Sequence, residues 1–447
     1  MNLTFNPDSM KTLESNIAEY INSRNTNTSW LNELQLNELS QFLQQPLPSR
    51  KIEHWKYNDL SFLQQANFSV VAESIDSEHQ NTVTRLKSEL NLTDAIFCVF
   101  VNGNYSQKLS NNISNDEISF CEFSDANQQQ SKIMAESINS TRQNKNLFIQ
   151  LNNALSSDGL LIEIANNKKI ENPIILLQIS DLKNKDLIST NQIIVNCNKK
   201  SESQILEIMI NADSVEKDKD SKSLALQQTI INLQDNSQCH HYRLNNENQS
   251  QQQISRTVAR LQKHARLSSF YYSHGSKLNR TDIDVYHQGQ QSESNLTGIY
   301  LPSNENCIDY HTNLEHQVAH CDSREIFRGI IADKAKATFA GKIHIFRNAQ
   351  KSDAQLSNKN LLLTNQAEIN TKPELEIYAD DVVCAHGATV AKIDNKAVYY
   401  LQTRGINKTR AKKMLSVGFI NELLDKIKND SIKKFVQQQV QSSLSDV

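Results

Sequence analysis

Short β-branched, apolar runs alternate with small polar turns through the middle of the chain, from Gly159 to about Leu401. They follow one another at roughly 8–20-residue spacing with almost no helical periodicity, which leaves sandwich, barrel, propeller or solenoid folds. Asn-Gly hairpin signals are nearly absent after Gly159, which counts against antiparallel meanders and suits a parallel β-helix of stacked coils. Because no repeat length is clean, spacing alone leaves the β-helix and a sandwich or barrel open. We assign this core to residues 151–402.

Helical periodicity dominates the segment before this core. Apolar residues recur at spacings of four within Met10–Ile21, and Ser29–Leu43 carries a second amphipathic pattern that ends before two prolines. Residues 95–105 instead predict two short strands joined at an Asn-Gly turn, and residues 128–155 return to a helical pattern. Residues 1–150 are therefore expected to form a mainly helical domain.

A basic amphipathic segment follows the core, and we assign residues 403–447 to a C-terminal helical domain. Asn407 is a suitable N-cap, and apolar residues then recur at intervals of four up to Ile427. Residues 401–447 hold nine Lys or Arg against four Asp or Glu. Such a helix can dock on a partner protein, or it can cover the end of its own domain. The pattern leaves both open.

Composition excludes several classes of function. A formal net charge of −3 gives no electrostatic case for binding nucleic acid. No stretch approaches ~20 apolar residues, so no membrane-spanning helix is expected, and no signal peptide is expected at the N-terminus. Seven dispersed cysteines without a CxxC pair fit reduced thiols in the cytoplasm. Runs of Asn and Gln at 127–130 and 251–253 predict solvent-facing turns and helices.

The stretch Pro373–Ile406 carries the most reactive combination of side chains. It predicts a strand through Cys384 and His386 and a further strand over Ala397–Leu401. On one strand, Cys384 and His386 face the same way, roughly 7 Å apart at Cα. The pair could be a nucleophile and its base, two ligands of iron or zinc, or a buried thiol beside a structural histidine. A metal here would need further ligands from another coil or another subunit.

Three other clusters of side chains are candidate sites. The first has Cys and His side chains at spacings that match no known zinc module: Cys307, His311, His316, His320 and Cys321. Cys239-His240-His241 predicts exposed histidines at the edge of a strand. The basic-aromatic segment Arg50–Tyr57 is either an anion or nucleotide site or a surface segment whose aromatic rings brace the helical domain. No GxxxxGK[ST] motif occurs, so no ATP site is expected in this chain.

Several motifs resemble the SufD family of the SUF iron–sulfur cluster assembly system. The resemblance is strongest in LEIYADDVVCAHGATV and YYLQTRGI, within Pro373–Ile406. RKIEHWKY at 50–57, FVNG at 100–103, FAGKIHI, LSNKNLLL and the GF pair at 418–419 are also similar to that family. The paralogous SufB family typically carries an H-E-A-T-type sequence where this chain reads C-A-H-G-A-T, which favours SufD. Ala391 stands where a glycine commonly follows A-T-V, a departure that concerns only local turn geometry.

The resemblance implies a fold, partners and site residues. The expected fold is mainly β, with a right-handed parallel β-helix between N-terminal and C-terminal helical domains. SufD-family proteins pair with SufB through the β-helix, hold the SufC ATPase through their C-terminal helices, and are compatible with a homodimer in isolation. His386 would then bind a transient iron–sulfur cluster shared with SufB, with Cys384 as an adjacent thiol. The residues expected to contact SufC are Arg404, Gly405, Ile406, Met414, Leu415, Gly418 and Phe419. A reduced flavin is associated with such complexes, but no motif here supports binding it.

The resemblance implies a non-catalytic scaffold, and two enzyme hypotheses remain as alternatives. A carbohydrate-active enzyme on a β-helix would need clustered carboxylates or calcium sites, and no such cluster stands out in the sequence. A cytosolic Cys–His nucleophile enzyme would need a Cys384 thiol that reacts rapidly near neutral pH.

Overall fold

A computed structural model of the chain describes residues 29–65, 77–92, 94–143, 146–156, 159–181, 186–212, 223–247 and 251–444. The helix predicted over Met10–Ile21 lies outside the described residues. Within these ranges, no helix has the length and apolar character needed to span a bilayer.

The secondary structure is mostly β, with helices before and after the strands. The helices are α1 (Ser29–Leu43), α2 (Phe62–Gln65), α3 (Ser77–Leu90), α4 (Gln128–Asn139), α5 (Leu147–Leu155), α6 (Asn395–Thr403), α7 (Lys408–Leu424) and α8 (Asp430–Ser443). The first strands are β1 (Ile96–Val101), β2 (Asn104–Tyr105), β3 (Ile118–Glu122), β4 (Leu160–Ile164), β5 (Ile174–Ser180), β6 (Ile188–Cys197), β7 (Glu202–Asn211), β8 (Leu224–Leu233), β9 (Gln238–Glu247) and β10 (Gln252–Leu261). The later strands are β11 (Arg266–Gly275), β12 (Leu278–His287), β13 (Glu293–Tyr300), β14 (Cys307–His316), β15 (Asp322–Ile331), β16 (Lys336–Ile345), β17 (Asp353–Leu362), β18 (Glu368–Ile377) and β19 (Val383–Lys392).

The strands form two sheets between which the chain alternates. Sheet A contains β1, β2 and the odd-numbered strands from β5 to β19, and sheet B contains β3 and the even-numbered strands from β4 to β18. Pairing is parallel except for β1 with β2 and β3 with β4. A chain that returns to alternate parallel sheets in this way winds as a β-helix. The parallel β-helix is therefore confirmed, and the sandwich or barrel alternative is wrong.

The turns between coils contain residues other than glycine whose backbone is in the left-handed conformation. These residues are Lys200, Asn236, His264, Gln291, His320 and Lys351, with φ between 58° and 63°. In Asn236 and His264, for example, the backbone N–H donates to a carbonyl of the next coil, Lys263 O at 2.8 Å and Gln290 O at 3.0 Å. The interval from Lys200 to Asn236 is 36 residues, whereas that from His264 to Gln291 is 27. These unequal coil lengths explain why the sequence shows no clean repeat.

The space between the sheets holds both an apolar core and buried polar side chains. One core cluster runs the length of the coil, from Cys98 on β1 to Ala379 beyond β18. Gln251, Gln252 and Gln253, predicted to face solvent, are instead 2%, 1% and 0% exposed. Gln253 Nε2 donates to Gln227 Oε1 of the adjacent strand at 2.7 Å. The prediction was wrong because the inside of the coil accepts polar side chains, as the bond between Gln253 and Gln227 on successive coils shows.

Helices cover the outer faces of both sheets. Helices α1 and α5 pack on sheet B, where Phe148 joins Leu224 and Leu226 in one apolar cluster. Helices α3, α7 and α8 pack on sheet A, where Leu423 and Val436 belong to the covering cluster. The last coil differs, because every residue of β18 and β19 is half-buried or exposed.

Two features differ from the sequence-based division of the chain. Ala397–Leu401, predicted as a strand, lies within α6, whose N-cap Asp394 accepts a hydrogen bond from Lys396 N. Its aromatic and β-branched residues resemble a strand in composition, but Val398 is the one that α6 buries. Strands β1 and β3 join the sheets, so the sheets begin before residue 151. The three-domain division itself stays a prediction.

Candidate functional site

The last coil leaves one edge of each sheet open. β19 pairs with β17 over its whole length and β18 pairs with β16, and in the described part of the chain no strand lies beyond either. An open edge carries a row of backbone N–H and C=O groups without strand partners. Such an edge is a template for pairing with another chain.

Cys384 and His386 lie on β19, in positions that face the inside of the coil. The register sets Cys384 beside Ala354 and His386 beside Leu356, which are buried residues of the inner core. His386 is nevertheless exposed and Cys384 half-buried, because no further coil lies over them. A Cβ placed on Gly387 would meet nothing within 4 Å. The predicted strand is confirmed, and its geometry places both side chains on one face.

The chemistry of the pair is that of an incomplete ligand set. Burial raises the pKa of the Cys384 thiol, and the Asp353 carboxylate raises it further. A thiol with a raised pKa is a poorer nucleophile at neutral pH, so this setting does not favour the Cys–His enzyme. Across the residues placed by the structure, no three His, Cys, Asp or Glu side chains are grouped to hold a metal ion. One thiolate and one imidazole leave a four-coordinate shell half filled.

Exposed apolar side chains surround the open end. The apolar rim consists of Phe346, Ile377, Tyr378, Val383 and Val390, which are between 37% and 61% exposed. Phe346 and Tyr378 both contact the ring of His344, with ring centroids 4.1 Å and 5.4 Å from it. Clustered apolar exposure of this kind marks protein contact surfaces.

Residues of α7 and α8 line a groove between the C-terminal helices. α7 begins after Asn407, whose side chain accepts a hydrogen bond from Arg410 N, so the predicted N-cap is confirmed. Ile420 and Leu423 of α7 are buried in the cluster on sheet A. The C-terminal groove has a volume of about 760 Å³ and is lined by Arg410, Lys413, Met414, Val417, Gly418, Asn421, Gln438, Gln441 and Ser442.

The residues predicted to contact SufC do not all lie in this groove. Met414 and Gly418 line it. The segment 404–406 lies between α6 and α7, and Leu415 is half-buried. Phe419 packs toward the β-helix, where its ring lies 5.5 Å from the guanidinium of Arg328 and its carbonyl accepts a hydrogen bond from Arg328 Nη1.

The structure separates the histidines between Cys307 and Cys321. His316 is buried and stacks on His287 with ring centroids 4.5 Å apart, and burial lowers the pKa of His316 to about 4. His311 faces outward and pairs with Asp309 at 2.9 Å. His320 lies in a turn between coils, where its backbone has the left-handed conformation. These three histidines therefore lie in different surroundings and do not form one site.

The histidines of Cys239-His240-His241 were predicted to be exposed, and this is wrong, because both are buried. The segment lies within β9, and His241 is fully buried. His241 Nε2 lies 2.7 Å from Glu207 Oε1, and Arg243 Nη1 donates to Glu207 Oε2 at 2.5 Å. Polar residues therefore occupy the inside of this strand, which the search for apolar runs did not detect.

The basic-aromatic segment Arg50–Tyr57 braces the fold. Trp55 is 8% exposed, packs on Phe148 of α5 and lies 3.9 Å from the Arg280 guanidinium on β12. Asn58, just after the segment, donates to Asp309 of β14. These contacts join the segment to α5 and sheet B and favour the bracing interpretation over an anion site.

Comparisons with known proteins agree on one family. Residues 180–419 match the family model for the SUF system FeS cluster assembly SufBD core domain, and residues 11–176 match that for the SufBD protein N-terminal region. The chain is 28% identical over 400 residues to "Iron-sulfur cluster assembly protein SufD" of Escherichia coli, covering 89% of each chain. It is also 27% identical over 416 residues to "Protein ABCI7, chloroplastic" of Arabidopsis thaliana, covering 90% of this chain and 84% of that protein.

Proposed function

We propose that this chain, which belongs to the SufBD family of SUF iron–sulfur cluster assembly proteins, acts in that machinery as a non-catalytic scaffold subunit. The observation that carries the proposal is the open last coil, where Cys384 and His386 face a surface on which no further coil lies. A scaffold needs this combination, because one surface must both bind a partner and present ligands to the cluster.

The partner at the open end is a SufB-type paralogue. The open strand edges offer directional backbone hydrogen bonds, and the apolar rim offers apolar surface that a partner can bury. A second β-helix can match both. Pairing would also bring ligands from the second chain to Cys384 and His386. The four-coordinate shell could then be completed across the interface.

His386 is the ligand favoured on this side of the interface. Its imidazole is exposed, and an imidazole nitrogen is a common ligand of iron. Cys384 must lose a proton before it can bind, and its raised pKa makes that loss harder. We therefore assign Cys384 the secondary role.

Replacing His386 by Ala tests the cluster site. The iron–sulfur content of a complex reconstituted anaerobically with SufB and SufC should fall by at least about tenfold, since loss of even an outer-shell partner of a metal ligand typically costs 10–100-fold. Co-purification of the subunits should be unchanged. Thr389→Ala is the matched control, because Thr389 lies on the same strand with its side chain on the other face. Equal iron and sulfide in the His386 and Thr389 variants would remove His386 from the site.

The C-terminal groove is the proposed dock for the SufC ATPase. Arg410 and Lys413 give the groove a basic side, while Met414 is 47% exposed and supplies an apolar contact. Burial of α7 against sheet A leaves this face of the helix pair for a partner. One helix pair thus both covers its own domain and presents a contact surface.

Met414→Glu should weaken SufC binding by at least about tenfold, which corresponds to about 1.4 kcal/mol, because the substitution replaces an apolar contact by a charge that must lose its hydration when SufC binds. Deleting the helices would be a poorer test, since it would uncover the apolar face of sheet A. Ile113→Glu is the control, because Ile113 is 79% exposed and lies in the N-terminal half of the chain. Titration calorimetry in which both variants bind SufC with wild-type affinity would place the dock elsewhere.

A further inference from the structure

Glu325 is a carboxyl group inside the β-helix, and no counter-charge lies beside it in the described part of the chain. It lies on β15 and is 1% exposed. The Thr312 hydroxyl on β14 is near enough to favour the ionised form, but among the described residues no hydrogen bond of standard geometry reaches either carboxyl oxygen. A buried, unpaired carboxylate is costly, so burial raises the pKa of Glu325 to about 8 and the group is mostly a neutral acid at pH 7.

The groups that face Glu325 are apolar or neutral. Its neighbours within sheet A are Leu296 on β13 and Leu356 on β17. On the facing strand β14, Leu314 is an apolar inward residue, and the titratable inward residues are Tyr310 and His316. Burial raises the pKa of Tyr310 to about 12 and lowers that of His316 to about 4, so neither carries a charge near pH 7.

The strand register places Glu325, Leu356 and His386 at equivalent positions of three neighbouring strands, which we call the inner column. Glu325 pairs with Leu356, and Leu356 pairs with His386, so two strand spacings separate Glu325 from His386. Two spacings correspond to roughly 10 Å between Cα atoms. On the facing sheet, Gly341 pairs with Thr312. Because Gly341 has no Cβ, the Leu356 side chain can extend into the space beside it. Leu356 therefore fills the layer between Glu325 and the open end.

We infer that Glu325 is a charge-compensating residue of the His386 site, which releases its proton when a metal cation binds at the open end. The inference rests on the proposed function of His386. It follows from the register, which sets an acidic group two strands behind the exposed imidazole with one leucine between them, while no charged side chain faces that group among the residues that the structure describes.

The proton balance of this step is simple. A ferrous ion on His386 adds two positive charges, the O–H bond of the Glu325 carboxyl breaks, the proton passes to solvent water and a carboxylate remains. At roughly 10 Å and an effective dielectric constant of ~20, two charges lower the pKa of a carboxyl by about 2. The group therefore changes from mostly protonated to mostly ionised at pH 7. By linkage, this ionisation strengthens cation binding at pH 7 about tenfold.

Infrared difference spectroscopy tests the inference on the complex of the full chain with SufB, with ferrous ion as the probe under anaerobic conditions. The wild type should show the carbonyl band of a protonated carboxylic acid that Glu325→Gln lacks. Adding ferrous ion at pH 7 should remove that band.

Glu325→Gln should bind ferrous ion about tenfold more weakly at pH 7 and lose the added affinity that wild type gains as pH rises. Thr312→Val is a second variant that keeps the acid, and its band should persist to higher pH because the hydroxyl favours the ionised form.

The possible results separate this inference from the proposed function. Loss of ferrous binding in His386→Ala, together with a wild-type band that ferrous ion does not change, would overturn the role of Glu325 and leave the site at His386 intact. Unchanged ferrous binding in His386→Ala would overturn both. A band removed by ferrous ion in wild type but not in His386→Ala would support both.

Discussion

Replacing Glu207 by Gln is expected to lower the free energy of unfolding by about 3–5 kcal/mol. This is the largest loss of stability that we predict for a single substitution in this chain. Glu207 is fully buried inside the coil and accepts hydrogen bonds from Arg243 and Thr229, and it contacts His241. The Arg243 guanidinium holds the pKa of Glu207 low against its burial. Without the carboxylate, a charged guanidinium that is 1% exposed would keep no counter-ion.

The double variant Glu207→Gln, Arg243→Met is the control for this prediction. It removes both charges, and exchanging a buried ion pair for apolar volume is often neutral or stabilising. Urea unfolding curves should therefore show a midpoint much closer to wild type for the double variant than for Glu207→Gln alone. If both variants unfold at the same urea concentration, the unpaired Arg243 charge is not the cause of the loss.

The same polar interior marks where sequence reasoning succeeded and where it did not. Strands such as β5, whose seven residues are all buried and mainly apolar, stand out as apolar runs. β9 and β10 did not stand out, because their inward positions include Arg243, Gln253 and Asn245. A pattern search assumes that burial means apolar side chains, whereas a solenoid can satisfy polar groups between successive coils.

The turns limited the prediction of the fold in a different way. Asn, His, Gln and Lys take up the left-handed positions that a search would assign to glycine, so these turns carry no common residue type. The sequence therefore predicted parallel strands from the lack of hairpin signals but could not choose the β-helix by spacing alone. The β-helix was predicted because the stretch around Cys384 resembles the SufD family.

Strand periodicity was sufficient to predict that Cys384 and His386 share a face. It could not indicate that this strand is the last one, which is the reason that His386 is exposed. Nor could it detect Glu325, because Glu325 and His386 are 61 positions apart in sequence and their relation depends on the register of three strands. The candidate site is thus local in its ligands and non-local in its surroundings.

Glu325→Gln is expected to stabilise the protein by an amount that grows as pH rises above 4.5 and is largest at alkaline pH. The pKa of Glu325 is about 8 in the folded chain, against an ordinary value of 4.5. Between these values the folded state binds the proton and the unfolded state does not, so the contribution of this group to stability falls as pH rises from 4.5 to 8 and is constant above. The difference in pKa corresponds to at most about 5 kcal/mol. Gln has the same shape and no charge to bury.

Urea unfolding of wild type and Glu325→Gln at pH 5.5 and pH 9 measures this effect. The variant should be more stable than wild type by about 1.4 kcal/mol at pH 5.5, one unit above the ordinary pKa of 4.5, and by about 3–5 kcal/mol at pH 9. His316 titrates at about 4, outside this range, and is common to both proteins. A difference of equal size at both pH values would mean that Glu325 does not change its ionisation on folding, and that the inner column carries no titratable group behind His386.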